Sequence, residues 1–130
     1  MALPHAASGE VIDVQPLGNK LAEAVSHALF KAEQLELIRL VLPSGKGMPE
    51  HAVQGAITIQ CLEGRIEVRV PQKTLILRAG ELVYLAGGVP HALHALEDAS
   101  ALLSILLKPD GTHGFDGKAL TPAEMAHRSG

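Results

Sequence analysis

The chain has 130 residues and a mass of 13.7 kDa, enough for one domain at about 100–200 residues each. Hydrophobic residues make up 47% and charged residues 19%, a globular balance that excludes a disordered chain. Eleven Lys and Arg against fourteen Asp and Glu give a formal charge of −3, and the aromatics are Phe30, Tyr84 and Phe115. With neither a basic stripe nor a stacking platform, a nucleic-acid role is excluded.

Thirteen glycines and eight prolines punctuate short apolar runs along the whole chain, the habit of an all-β barrel or sandwich. Asn19 to Val25 predicts a short helical turn with Asn19 as its cap. Leu35–Leu42 is apolar on both faces and needs cover on both sides, in the middle of a packed sheet or at a subunit contact. Ala56–Leu62 puts Ile57, Ile59 and Cys61 on one face. Arg65–Val70 alternates strictly, so Ile66, Val68 and Val70 face inward while Glu67 and Arg69 face water. Glu63-Gly64 between these two runs predicts the tight turn of a hairpin. Thr74–Leu77, Leu82–Leu85 and Ala92–Leu96 follow, with turns at Pro71-Gln72-Lys73 and Arg78-Ala79-Gly80. Ala101–Leu107 is again apolar on both faces. Thr121-Pro122-Ala123-Glu124 reads as a helix start, with an N-cap, a proline at the first position and a capping-box glutamate.

One cysteine, Cys61, excludes an internal disulfide framework and a thiolate-rich zinc site. No apolar stretch approaches the roughly 18 residues that cross a membrane. The first ten residues lack the basic start and apolar run of a signal peptide. A soluble, cytoplasmic protein is expected. The mean hydropathy of +0.20 is high for a small soluble chain, which points to apolar surface covered by a second copy.

Two segments carry a family likeness. The first runs from Gly45 through His51, Val53 and Ile57 to Gly64; the second runs from Gly80 through Ala86 and Gly88 to His91 and Ala95. Their spacing resembles the two motifs of the cupin superfamily, Gly-x5-His-x-His-x3-4-Glu-x6-Gly and Gly-x5-Pro-x-Gly-x2-His-x3-Asn, in its small single-domain, RmlC-like form. The likeness spans about Pro43 to Leu96. It implies a double-stranded β-helix, or jelly-roll barrel, with short terminal helical turns. Residues 1–34 would then form an N-terminal arm and first strands at a dimer contact, 35–110 the barrel, and 111–130 a C-terminal tail with a short helix. The resemblance also implies a homodimer.

In metal-binding cupins two histidines and a glutamate or glutamine of the first motif join the histidine of the second around a divalent metal. His51 and His91 match the first and last of these positions. Val53 stands at the second histidine and Ile57 at the carboxylate. Two imidazoles fall short of the usual catalytic minimum of three protein ligands and a water, leaving Gln54 or Gln60 as candidate further ligands. Alternation with Ile59 turns Gln60 outward. His51 and His91 therefore read in two ways: as ligands of a divalent transition metal (Fe, Mn, Ni or Zn), or as pocket histidines hydrogen-bonded to a small molecule or to each other.

The expected pocket is lined by His51, Val53, Ile57, Ile59, Cys61, His91 and Leu93, mostly apolar with two convergent imidazoles. Ile66, Val68 and Val83 complete the interior. His94, three residues after His91 on a strand, points to the opposite face. Cys61 reads as a small buried side chain. Gly45-Lys46-Gly47 lacks the remaining residues of a phosphate-binding loop, and no Gly-x-Ser-x-Gly elbow exists. The functional expectation is a small-molecule-binding barrel with a degenerate metal site. The alternative is a metal-dependent enzyme of the oxygenase or isomerase class using His51 and His91.

Overall fold

A computed structural model describes residues 5–107. The helix start expected at Thr121–Glu124, and the tail at 111–130 as a whole, lie outside the described residues. A single 3-10 turn, Gly18–Glu23, precedes nine strands. These are β1 (His27–Lys31), β2 (Leu35–Leu42), β3 (Gly47–His51), β4 (Ile57–Glu63), β5 (Arg65–Val70), β6 (Lys73–Arg78), β7 (Leu82–Leu85), β8 (His91–Ala95) and β9 (Ala99–Leu106). They form two antiparallel sheets, in the order β1-β2-β9-β4-β7 and β3-β8-β5-β6.

The two doubly apolar runs pair with each other in the middle of the five-stranded sheet, Leu35 opposite Leu106 through to Leu42 opposite Ala99. That placement answers the need for cover on both faces. The inner faces meet in one core that includes Leu40, Leu42, Ile57, Ile59, Cys61, Ile66, Val68, Leu77, Leu93 and Leu103. Ile59, Cys61, Ile66 and Val68 keep no exposed surface. Val83 is partly buried against the same core.

One expectation fails. Glu63-Gly64 is not the turn of a hairpin: β4 pairs with β9 and β7, whereas β5 pairs with β8 and β6. The chain changes sheets at Gly64, which adopts φ +79° and has the Asp98 carbonyl oxygen 2.2 Å from where a Cβ would stand. Ile57, Ile59 and Cys61 thus face Ile66 and Val68 across the core. Alternation fixes which residues point inward but not which sheet a strand joins. β5 instead forms its hairpin with β6, closed by Pro71-Gln72.

One strand, β3, escaped the sequence reading, and β1 entered it only among the first strands expected within residues 1–34. β1 and β3 are edge strands, short and interrupted by polar residues, and β3 contains Pro49, whose missing N–H is tolerated at an edge. The helical turn begins at Gly18, with Leu17 rather than Asn19 at its N-cap and no side-chain cap of its own.

Candidate functional site

The site begins with two strand ends. His51 closes β3 and His91 opens β8, and the two are register partners. Behind them, the loop before β8 is drawn onto the loop after β3. Gly88 N–H donates to the Val53 carbonyl at 2.8 Å, and a Cβ on Gly87 would stand 2.2 Å from the Gln54 carbonyl oxygen. The result is a pair of imidazoles with ring centroids 4.4 Å apart and planes inclined at 54°.

Both rings are held in the same way. Nδ1 of His51 lies 3.1 Å from the Pro49 carbonyl oxygen, and Nδ1 of His91 lies 2.9 Å from that of Val89. A carbonyl only accepts, so each Nδ1 carries the proton and donates. Each Nε2 in the neutral ring is then a lone pair. His91 is 4% exposed, and its Nε2 has no hydrogen-bond partner among the described residues. No buried side-chain nitrogen or oxygen among them lacks a partner. The Nε2 of His91 is therefore part of the small surface that the ring keeps exposed.

The remaining predicted site residues fall into three groups. Val53 sits partly buried against the core beside the pair. Ile57 and Leu93 are 3% and 4% exposed, and Ile59 and Cys61 not at all, so they pack as solid core rather than lining an open pocket. Gln54 is exposed on the loop, while Gln60 is register partner to Leu82 and Leu102 on the outer face, pointing away from the pair. His94 is also outward, opposite Glu67. Cys61 has its thiol pKa raised, by burial first and by the charges of Glu63, Glu81 and Glu97, against a backbone hydrogen bond to Glu63 that lowers it. It is a buried thiol rather than a nucleophile.

Sequence reasoning missed a charged clasp on the outer face of the first sheet. Arg39, 4% exposed, donates to the carbonyls of Gln15 and Asp13 at 3.2 and 3.1 Å. Glu63 accepts from the N–H groups of Leu17 and Gly18 at 2.9 and 3.0 Å, and from the Ser100 hydroxyl. Burial would raise the Glu63 pKa; the Ser100, Leu17 and Gly18 hydrogen bonds, with the Arg39 charge, outweigh it and hold it below its usual value. The clasp pins residues 13–18 to the sheet, and Glu63 satisfies donors at the start of the 3-10 turn that lack intrahelical partners. The available signal was a lone arginine inside a run needing apolar cover on both faces.

The family model for the cupin domain matches residues 38–107. The chain belongs to the cupin family. Similar solved structures include a cupin superfamily protein from Desulfitobacterium hafniense at 15% identity and TM-score 0.66, covering 78% of this chain and 99% of that one. A conserved protein of unknown function from Streptococcus pyogenes aligns at 23% identity and TM-score 0.63, covering 82% and 94%. KdgF from Halomonas sp. aligns at 17% identity and TM-score 0.59, covering 65% and 81%. Each supports the cupin fold alone. None of the curated proteins matches the chain in sequence. No helix among the described residues is long and apolar enough to cross a membrane.

Cupins often bind metals, and the orientation half of such a site is present here: metal-bound histidines commonly donate their second ring N–H to a carbonyl. The ligand number is not. Val53 and Ile57 supply no donor, and no group of three His, Cys, Asp or Glu suited to a metal ion is gathered among the described residues. These residues do not amount to a resident metal centre.

Proposed function

We propose that this cupin binds a small molecule at the barrel mouth, with His51 and His91 as its polar anchors. The observation that carries this reading is the matched orientation of the two rings, each fixed through Nδ1 by a backbone carbonyl. Histidines that merely fill a core satisfy both nitrogens or bury them; here a lone pair is left over on each ring, beside the apolar surface of Val53. A few convergent polar groups on an apolar wall is the usual make-up of a small-molecule site.

The test is a fragment screen by thermal shift on metal-free protein, repeated on the His51→Ala/His91→Ala double variant. The wild type gains stability with the best fragments, while the variant folds with the same far-UV spectrum and does not respond. Equal responses from both proteins refute the site.

We also infer that a second copy covers the outer face of the five-stranded sheet. Leu82 and Tyr84 stand there 56% and 64% exposed, with Thr58, Gln60, Leu102, Ser104 and Leu106 as their neighbours in register. In a two-fold contact residues near the axis meet their own copies, so a like charge would repel itself. This stretch carries no exposed charge, its neighbour Arg39 being buried beneath residues 13–15, whereas the outer face of the second sheet carries Arg65, Glu67, Arg69 and Arg78. Sedimentation at micromolar concentration is expected to give a dimer and Tyr84→Asp a monomer. A monomeric wild type refutes it.

A further inference from the structure

The outer face of the five-stranded sheet has a covered end and a bare end. In register across its strands, Val41, Ser100 and Glu63 form one row, and Arg39, Leu102, Gln60 and Leu82 the next. Leu37, Ser104, Thr58 and Tyr84 form the third row, and Leu35 and Leu106 the fourth. Successive rows lie two residues apart along a strand, about 7 Å. The charged side chains of these rows, Arg39 and Glu63, hold residues 13–18 over themselves as a third layer. Beyond that layer three rows stay bare, from Leu102, Gln60 and Leu82 to Leu35 and Leu106, with Leu35, Leu82, Tyr84 and Leu106 exposed. Their middle row is Ser104, Thr58 and Tyr84.

A surface made for a different protein can carry charge, because the partner supplies the opposite sign. A two-fold contact between copies cannot hold either sign near its axis. Bare rows free of both signs therefore fit a second copy. The layer formed by residues 13–18 then decides how that copy is turned. Facing sheets pack about 10 Å apart. An axis running along β4 would bring the two layers onto each other and prop the sheets wider than that. An axis running across the strands sends each layer to the far end of the partner's sheet, beside the partner's Leu35. The whole bare patch is used only when that axis follows the middle row.

We propose that two copies join through these rows about a two-fold axis that crosses the strands along Ser104, Thr58 and Tyr84. Tyr84 then meets the partner's Tyr84 as an aromatic pair on the axis. To one side of it, Leu106 meets the partner's Leu102, and the exchange repeats on the other side. A shallow cavity of about 230 Å³, lined by Leu35, Thr58, Tyr84, Ser104 and Leu106, takes in the partner's Leu102. This inference rests on the dimer reading and supplies its axis and its contacts.

The test is sedimentation of the whole protein and of three variants, Tyr84→Asp, Tyr84→Lys and Ser104→Lys, alone and in equimolar mixtures. Tyr84 is largely exposed, so its variants keep the wild-type far-UV spectrum. Each Tyr84 variant alone is expected to associate at least tenfold more weakly than wild type, because the new charge faces its own copy. Mixing Tyr84→Asp with Tyr84→Lys sets opposite charges against each other and strengthens association at least tenfold over either alone. Mixing Tyr84→Asp with Ser104→Lys gives no such gain. A mixture of the two Tyr84 variants that associates no better than its components overturns the axis and leaves the dimer standing. So does a gain from Ser104→Lys that equals the gain from Tyr84→Lys, which would place the axis along β4. A monomeric wild type, or a Tyr84→Asp variant that dimerises as well as wild type, removes both the axis and the dimer face.

Discussion

Val53→His tests whether a third imidazole is what His51 and His91 need to hold a metal. The residue stands where metal-binding cupins carry their second histidine, beside two rings whose Nε2 lone pairs are already set by the Pro49 and Val89 carbonyls. Because Val53 is only partly buried, the exchange forfeits about 1 kcal/mol of apolar burial. It brings the imidazole count to three, the protein ligand count of His₃ catalytic zinc sites. With Co(II) at a hundredfold excess over its dissociation constant the folded state gains about 2.7 kcal/mol. At about 4 °C per kcal/mol for a domain of this size, melting rises by about 10 °C. Differential scanning fluorimetry with and without Co(II) reads this directly, and the visible spectrum of bound Co(II) confirms the ligation. The wild type, with two imidazoles, should move by no more than a degree or two at the same concentration. A variant that responds no better than wild type refutes the reasoning, as does wild-type protein that holds one equivalent of metal through dialysis.

Glu63 carries an acid-sensitive contribution to stability. Its folded pKa lies below the ordinary value of 4.5, so its contribution is complete above that value and is lost as the pH falls through the folded pKa. Glu63→Gln should cost about 1–2 kcal/mol near neutrality, with urea midpoints of variant and wild type converging in acid; a constant gap across pH contradicts the clasp. Gly47→Ala places a Cβ 1.9 Å from the Leu93 carbonyl oxygen, which pushes β3 off β8 and separates the histidines. We expect a loss of more than about 2 kcal/mol and loss of the mutual ring shifts. Gly80→Ala, at φ +88° but with open space around it, should cost only about 1–2 kcal/mol and leave the histidine signals unchanged. Equal effects at the two glycines would contradict the close-approach argument.

The strands that could be read residue by residue were those whose pattern is set by burial. β2, β5 and β7 match their apolar runs to the residue, and Ile59, Ile66 and Val68 face inward as alternation requires. β3 was hidden, and the bounds of β1 unread, because an edge strand needs few ladder bonds and tolerates Pro49 and polar neighbours. The sheet change at Gly64 was hidden because a hairpin and a crossover between facing sheets impose the same alternation. His51 and His91 came together as the glycine spacing of the two motifs implied. The Arg39–Glu63 clasp did not show in the sequence, because its partners are backbone groups of residues 13–18, up to 46 positions away from Glu63.

The most direct measurement is a long-range proton–nitrogen correlation spectrum of the histidine rings in the ligand-free protein at mildly alkaline pH. The geometry predicts that both His51 and His91 carry their proton on Nδ1 and present Nε2 as a bare acceptor. A proton on Nε2 of both rings would contradict the ring orientation on which the small-molecule reading rests.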